Sequence, residues 1–392
     1  MWILGCTLWW WGSGTTADAA TDQWTVPSAP PLLVNGSFEC GNGFTVLQNA
    51  VGKDVWIPTG WSVIYAQGSP RLLSTRMSDY SRRTGKDGLC DPTEPEVTKM
   101  DGIDSWYLPS EDVTSTGKPF DIVLYQQVPA LVGAAYSLSG WMASECGSND
   151  KGPKPCPQGN YISKMIGLDP YGGVDHTSPD IAWVENRENP RWRGLHTGTT
   201  ALTDTVTIFI RVHSPFEFQN NKGFVDAFTL VRAPLSAMEP LSGTVSGMGP
   251  IDIRWFGKQS EDVERIRDGN YKLYFDVQAR HLPAGEWRDL VTGATEQRSV
   301  AFQAPCVDTR YEFRVRARAE QPEGQGGVFP NHRYYGVWSK PQAVLFAAPA
   351  AEEPGTIDVT PPLTGTLPVS GTIEMTPTLY MPLTARTTFQ EC

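Results

Sequence analysis

The chain is poor in charge and poorer still in bases. Only 19% of its 392 residues are Asp, Glu, Lys or Arg, acids outnumber bases 43 to 32, and no Lys or Arg precedes Lys53. A formal net charge of -11 without clustered Lys and Arg argues against a nucleic-acid partner, because phosphate binding needs such clusters. Histidine is limited to five scattered residues and C-x-x-C pairs are missing, which speaks against zinc. Also absent are G-x-S-x-G, H-E-x-x-H, a phosphate loop, and the paired-acid run E-x-D-x-x-E of a glycosidase. Those gaps argue against an enzyme. No apolar run is long enough to cross a bilayer.

Turn-forming and aromatic residues, by contrast, are plentiful: 38 Gly, 32 Pro and 14 Trp. That composition suits turn-dense all-β structure with little helix, and the length allows about two or three domains. The opening "MWILGCTLWWWGSGTTADAATDQW" sets an apolar run before small residues and the triplet Ala17-Asp18-Ala19. Residues 1–20 therefore read as a signal peptide of a secreted protein, although the expected basic stretch is missing. Cys6 in "ILGC" offers lipid attachment to a cell surface as an alternative.

Cleavage there would leave six of the seven cysteines, suited to oxidised bridges in an exported protein. Cys146 and Cys156 bracket the polar loop "CGSNDKGPKPC", and Cys40 with Cys90 form the natural second pair; four cysteines allow other connectivities. Cys306 and Cys392 have no obvious partner, and Cys306, in the turn before Tyr311, reads as a buried thiol.

Three regions separate by composition: about 31–233 and 238–346, both β-rich, and a Thr- and Pro-rich tail, 347–392. The tail has too little apolar surface to offset its ordering entropy and reads as a disordered linker. In the first region, "GWSVIY", "FDIVLYQQV", "AYSLSGWMAS", "SKMIGLDP", "TVTIFIRVHS" and "GFVDAFTLV" read as strands. Alternation points Val206, Ile208, Ile210 and Val212 one way and Thr207, Phe209 and Arg211 the other. In "YSLSGWM" it separates Tyr136 and Leu138 from Ser139 and Trp141. One face is apolar; the other mixes aromatic and polar groups.

The opening "LLVNGSFE", the middle "YQQVPALVGAAYSLSGWMAS" and the closing "NNKGFVDAFTLV" resemble carbohydrate-binding-module-like, galactose-binding-type β-jelly rolls over residues 31–233. The resemblance implies that the first and last strands lie side by side, making Glu39 and Asp226 neighbours. Two buried carboxylates so placed need a counter-charge, and the resemblance implies a structural Ca2+ held also by backbone carbonyls of the "NGSFE" turn. The alternative is that both acids are exposed or bond to Arg and backbone N–H groups. Residues 238–346, with "IDIRWFGKQ", "NYKLYFDVQAR", "YEFRVRARAE" and "YYGVWSKPQAV", resemble a fibronectin type III domain. Trp255 and Tyr311 are expected in its core and Trp338-Ser339 in its last strand.

Sugars are bound by aromatic faces flanked by amide, carboxylate and Arg groups. Alternation offers Tyr125, Gln127, Trp141, Phe209 and Arg211 for one such surface, with Trp183 and Trp61 able to join, provided that they share a sheet. "DGIDSWYLPSED" reads as a solvated loop, Asp169, Asp175 and His176 as part of a turn, and the sequon Asn35-Gly36-Ser37 as accidental. The expected protein is thus all-β, non-catalytic and extracellular, and its partner is a polysaccharide or other glycan. Alternatives are a surface adhesion protein that uses its domains as spacers beside other cell-surface proteins, and an accessory fragment of a larger glycoside hydrolase.

Overall fold

A computed structural model describes residues 32–48, 52, 54–74, 100, 104–109, 118–146, 162–188, 192–215, 221–266, 271–321 and 333–350. The signal-peptide and tail readings, Cys90 and Cys156 lie outside these residues. The all-β expectation holds: among the described residues only Glu261–Glu264, here α1, is α-helical.

The first region holds β1 (Phe44–Gln48), β2 (Asp54–Pro58), β3 (Ser62–Gln67), β4 (Leu73–Ser74), β5 (Trp106–Pro109), β6 (Phe120–Pro129), β7 (Ala135–Glu145), β8 (Ser163–Asp169), β9 (Ala182–Asn186), β10 (Arg193–Thr200), β11 (Thr205–Ser214) and β12 (Lys222–Arg232). Apart from the β1-β2 hairpin, these strands form two sheets: a front sheet in the order β3-β6-β11-β8-β9 and a back sheet in the order β10-β7-β12-β5-β4. Their inner faces enclose one core. Val206, Ile208, Ile210 and Val212 of β11 meet Tyr136, Leu138 and Met142 of β7 there, as the alternation predicts. Each such aliphatic side chain contributes about 1.5–3 kcal/mol on burial.

One base is buried in this interior. Lys164 of β8 reaches between the sheets, and its Nζ donates to Ser144 Oγ at 2.6 Å and to the Ile162 carbonyl at 3.1 Å. Burial pulls its pKa down to about 7, against the weaker pull of Glu188 and Glu185.

Several sequence readings need correction. Residues 32–38 form bends and a turn rather than a strand, because Asn35 and Phe38 take left-handed backbone conformations with φ of 48° and 55° that no strand accommodates. "DGIDSWYLPSED" is no solvated loop: it carries β5, whose Trp106 and Leu108 are buried. Trp61 is also a core residue, its indole N–H donating to the Val34 carbonyl at 2.9 Å. Cys306 is disulfide-bonded rather than a free thiol, and Cys146 is likewise disulfide-bonded.

The second region holds β13 (Leu235–Met238), β14 (Thr244–Ser246), β15 (Ile251–Lys258), β16 (Lys272–His281), β17 (Arg288–Ala294), β18 (Ser299–Phe302), β19 (Thr309–Glu320), β20 (Arg333–Tyr335) and β21 (Gln342–Ala347). A sheet of order β13-β15-β18 faces one of order β14-β21-β19-β16-β17, with β20 paired to β19. Trp255, Phe275, Tyr311, Phe313 and Phe346 fill the space between them. Trp338 and Ser339 precede β21 rather than joining it. On the outer side of β19, guanidinium and aromatic groups alternate: Arg314 lies 4.0 Å from the Trp287 ring centroid and 4.3 Å from that of Trp338, and Arg316 lies 4.6 Å from Trp338. Such cation–π contacts contribute about 0.5–1 kcal/mol each at exposed sites.

The second sandwich is docked on the outer face of the back sheet. The Tyr335 N–H donates to Ser137 Oγ at 2.9 Å, the Tyr334 hydroxyl meets Thr229 Oγ1 at 3.1 Å, and the His196 and Tyr335 rings stack. Val231 of β12 packs in one apolar cluster with Val263, Ala319 and Tyr334. Arg232 locks the corner: its backbone N–H, Nε and Nη2 all donate to the Asp262 carboxylate of α1, at 2.8, 3.0 and 2.8 Å.

Candidate functional site

The outer face of the front sheet is organised in rows that cross the strands. One row runs Ser62, Tyr125, Phe209, Gly167, Trp183, and the next runs Ile64, Val123, Arg211, Met165, Glu185. Gln127, Thr207 and Asp169 form a third. The parity that buries Ile208 and Ile210 inward sends all these residues outward.

Glycine shapes the first row. A Cβ on Gly167 would stand 2.8 Å from Trp183 Cε3 and 2.9 Å from its Cδ2, so the indole lies across a position where only hydrogen fits. Trp183 and Tyr125 flank Phe209 with ring centroids 5.9 and 6.1 Å from it. Phe209 is fully buried: it is the floor under the other two rings, not a contact surface. Tyr125 and Trp183 stay half-buried and Gln127 exposed.

Polar groups border the rings in fixed positions. Arg211 Nε and Nη2 donate to the two oxygens of Asp121 at 2.8 and 2.5 Å, a bidentate pair that raises the guanidinium pKa. Ser163 donates to Glu185 Oε1 at 2.5 Å and Arg187 Nε does so at 2.7 Å. Burial works to raise the Glu185 pKa, but the bonds from Arg187 and Ser163 outweigh it and hold the carboxyl below its ordinary value. Gln127 Nε2 donates to the Gly172 carbonyl at 2.7 Å, tying the β8–β9 loop to the row beside the aromatics.

The structure thus brings Tyr125, Gln127, Phe209, Arg211 and Trp183 together and leaves Trp141 out. Trp141 belongs to β7 of the back sheet, where it is paired with Gly194 and Asp226. Much of that sheet's outer face is occupied, although Trp141 itself is half-buried like Trp183. Next to Trp141, Phe224 and Tyr107 stack at 5.1 Å, and Trp56, Ala143 and Trp192 close around them; further along, the second sandwich is docked. A shared surface of Trp141 with Gln127 and Arg211 does not exist. Sequence reasoning missed Asp121, although it has the parity of Val123 and Tyr125, and Gly167, whose role carries no sequence signal.

The two acids proposed as ion ligands lie near one segment. Asp226 is buried, and its oxygens accept the Met100 and Ala227 N–H groups, each at 2.6 Å. Glu39 Oε1 accepts the Asp104 N–H at 3.3 Å. Between them the chain start and β12 do run side by side, the Phe228 N–H donating to the Gly36 carbonyl at 2.8 Å. Phe38 and Ala227, the immediate neighbours of the two acids, have φ of 55° and 54°; such strain gathers where surrounding structure demands it. No group of three or more His, Cys, Asp or Glu side chains suited to a metal occurs among the described residues. Asn35 is buried with Nδ2 donating to the Gly43 carbonyl at 3.2 Å, which leaves the sequon no open amide.

Comparison with known proteins finds no matching family model and no matching curated protein. Among solved structures, the chain is similar to the carbohydrate-binding module TmCBM61 in complex with β-1,4-galactotriose, at 16% identity over 52% of this chain and 99% of that one, with a TM-score of 0.32. It is also similar to the K1 cleaved adhesin domain of Lys-gingipain from Porphyromonas gingivalis, at 14% identity over 45% and 92%, TM-score 0.27. The adhesin domain of Epf from Streptococcus pyogenes matches at 10% identity over 77% and 95%, TM-score 0.25. At such values the functional reading rests on the residues of this chain.

Proposed function

We propose that this protein is a non-catalytic extracellular glycan-binding protein and that the outer face of the front sheet is its binding surface. The observation that carries the reading is the row Tyr125–Phe209–Gly167–Trp183: two half-buried rings tilted 38° and 41° to the buried ring between them, bordered by an amide and a carboxylate–guanidinium pair. C–H-rich sugar faces suit the rings and hydroxyls suit Gln127, Arg211 and Asp121. Asp121, Asp169 and Glu185 outnumber Arg211 and Arg187 around this face, which favours neutral glycans over acidic ones. Glu185, held below its ordinary pKa, is the opposite of a general acid. Affinity electrophoresis in polysaccharide gels tests this: Trp183→Ala and Tyr125→Ala should each lose retardation, and unchanged mobility in both would refute the site.

Three further features belong to the same reading. A Ca2+ held by Glu39 and Asp226 would offset one buried and one half-buried charge and explain the strained backbone beside them. Export is supported by the apolar start with its A-x-A triplet and by the bonded state of Cys146 and Cys306, which suits an oxidising compartment. The second sandwich reads as a fibronectin type III domain on its order of motifs. Its docking on the back sheet favours a second reading, a rigid adhesion or spacer unit, in which neither aromatic variant changes any retardation because none occurs.

A further inference from the structure

The contact that holds the second sandwich on the first contains a titratable ring. His196 of β10 lies flat on Tyr335 of β20, centroids 4.3 Å apart and planes 12° from parallel. The Arg316 guanidinium lies 4.5 Å from the same Tyr335 centroid. Tyr335 is thus held by both the guanidinium and the imidazole.

The charged groups around His196 come from the second sandwich. Arg316 and Arg318 project from β19 and Arg333 from β20, and all three oppose a proton on the ring. Asp276 of β16 already takes Arg316 and Arg318, at 3.1 and 3.2 Å, and Glu320 takes Arg318 and Arg333. Those carboxylates are committed to other cations. On the first sandwich, the cross-strand neighbour of His196 is Ser139 of β7, followed by Thr229 of β12, and neither is charged.

We infer that the joint between the two sandwiches is an acid-sensitive hinge, shut at neutral pH and released on acidification, with the His196–Tyr335 stack as its pin. In the shut state burial, and then the three guanidiniums, lower the His196 pKa from 6.5 to about 4. Opening returns the ring to water and to its ordinary value. The open form therefore binds more protons between these two values: the joint is at full strength above about 6.5, weakens by up to about tenfold per pH unit below it, and loses nothing further from this group below about 4. Release would uncover the back sheet beside Ser137 and Val231 and let the front face turn freely against the second sandwich. This inference does not depend on glycan binding.

Small-angle scattering of the full chain, from about pH 7.5 to about pH 3.5, tests it through the radius of gyration. The wild type should be compact at neutral pH and extend as acid is added. His196→Phe keeps a flat ring on Tyr335 without a titrating group and should stay compact further into acid. Tyr335→Ala removes the pin and should extend at higher pH than the wild type. The inference is overturned if wild type and His196→Phe extend together, since Asp262 and the other carboxylates would then be the switch. It also fails if the wild type never extends, or if Tyr335→Ala leaves the transition in place.

Discussion

The two outer faces of the first sandwich arise from the same alternation and meet opposite ends. On the front sheet, Tyr125, Gln127 and Trp183 remain at the surface. On the back sheet, Phe224 and Tyr107 are as aromatic, but they are spent on the Trp56–Trp192 cluster, and further along the second sandwich is docked; Trp141 beside them is half-buried like Trp183. Aromatic content therefore does not mark a binding face; what else the chain lays over the sheet decides it.

The largest expected effect lies between the two faces. Lys164 has its pKa lowered from 10.5 to about 7, so the unfolded chain binds more protons between those values and stability should rise with pH across that window. Lys164→Met should abolish this slope and stabilise the protein at neutral pH by a few kcal/mol; chemical denaturation at several pH values would show it, and an unchanged slope would contradict the burial argument.

Next comes the ion proposed beside the back sheet. Calcium at 100 times its dissociation constant should stabilise the fold by about 2.7 kcal/mol. A calcium-dependent rise in melting temperature, lost in Glu39→Ala and Asp226→Ala, is the expected result; equal melting with calcium and with chelator would rule out the ion. Arg232→Ala, at the corner of the joint, should cost about 1–2 kcal/mol after allowance for its partial exposure, read as a lower melting temperature of the full chain.

The smallest effect is the most selective. Gly167→Ala should push Trp183 away from the strand it packs on and weaken glycan binding about tenfold, ~1.4 kcal/mol, while Trp141→Ala leaves binding unchanged. Equal losses in both would erase the distinction between the faces.

Much of this was legible in the sequence, for identifiable reasons. The runs that became β6, β7, β8 and β11 have clean alternation, and their inward and outward residues follow from it; in β12 an irregularity between Asp226 and Thr229 shifts the parity, so that Val225, Phe228 and Leu230 share one core. Parity within a strand, however, does not say which sheet the strand joins; Trp141 and Tyr125 both point outward, from opposite sides of the sandwich. Short strands such as β5 were hidden because Gly, Ser and Asp surround four residues whose burial is decided by distant partners. Gly167 mattered through what it lacks, and Asp121 through a partner 90 positions away. The acid after Phe38 found a backbone donor at Asp104 that spacing could not reveal.

The most direct test follows the tryptophan indole N–H resonances of the full chain during titration with an oligosaccharide cut from the polysaccharide that retards it most. The account predicts that the Trp183 resonance shifts and saturates with the ligand while those of Trp141, Trp192 and Trp56 stay in place. Shifts confined to Trp141 or Trp192, with Trp183 unmoved, would place the site on the back sheet and contradict it.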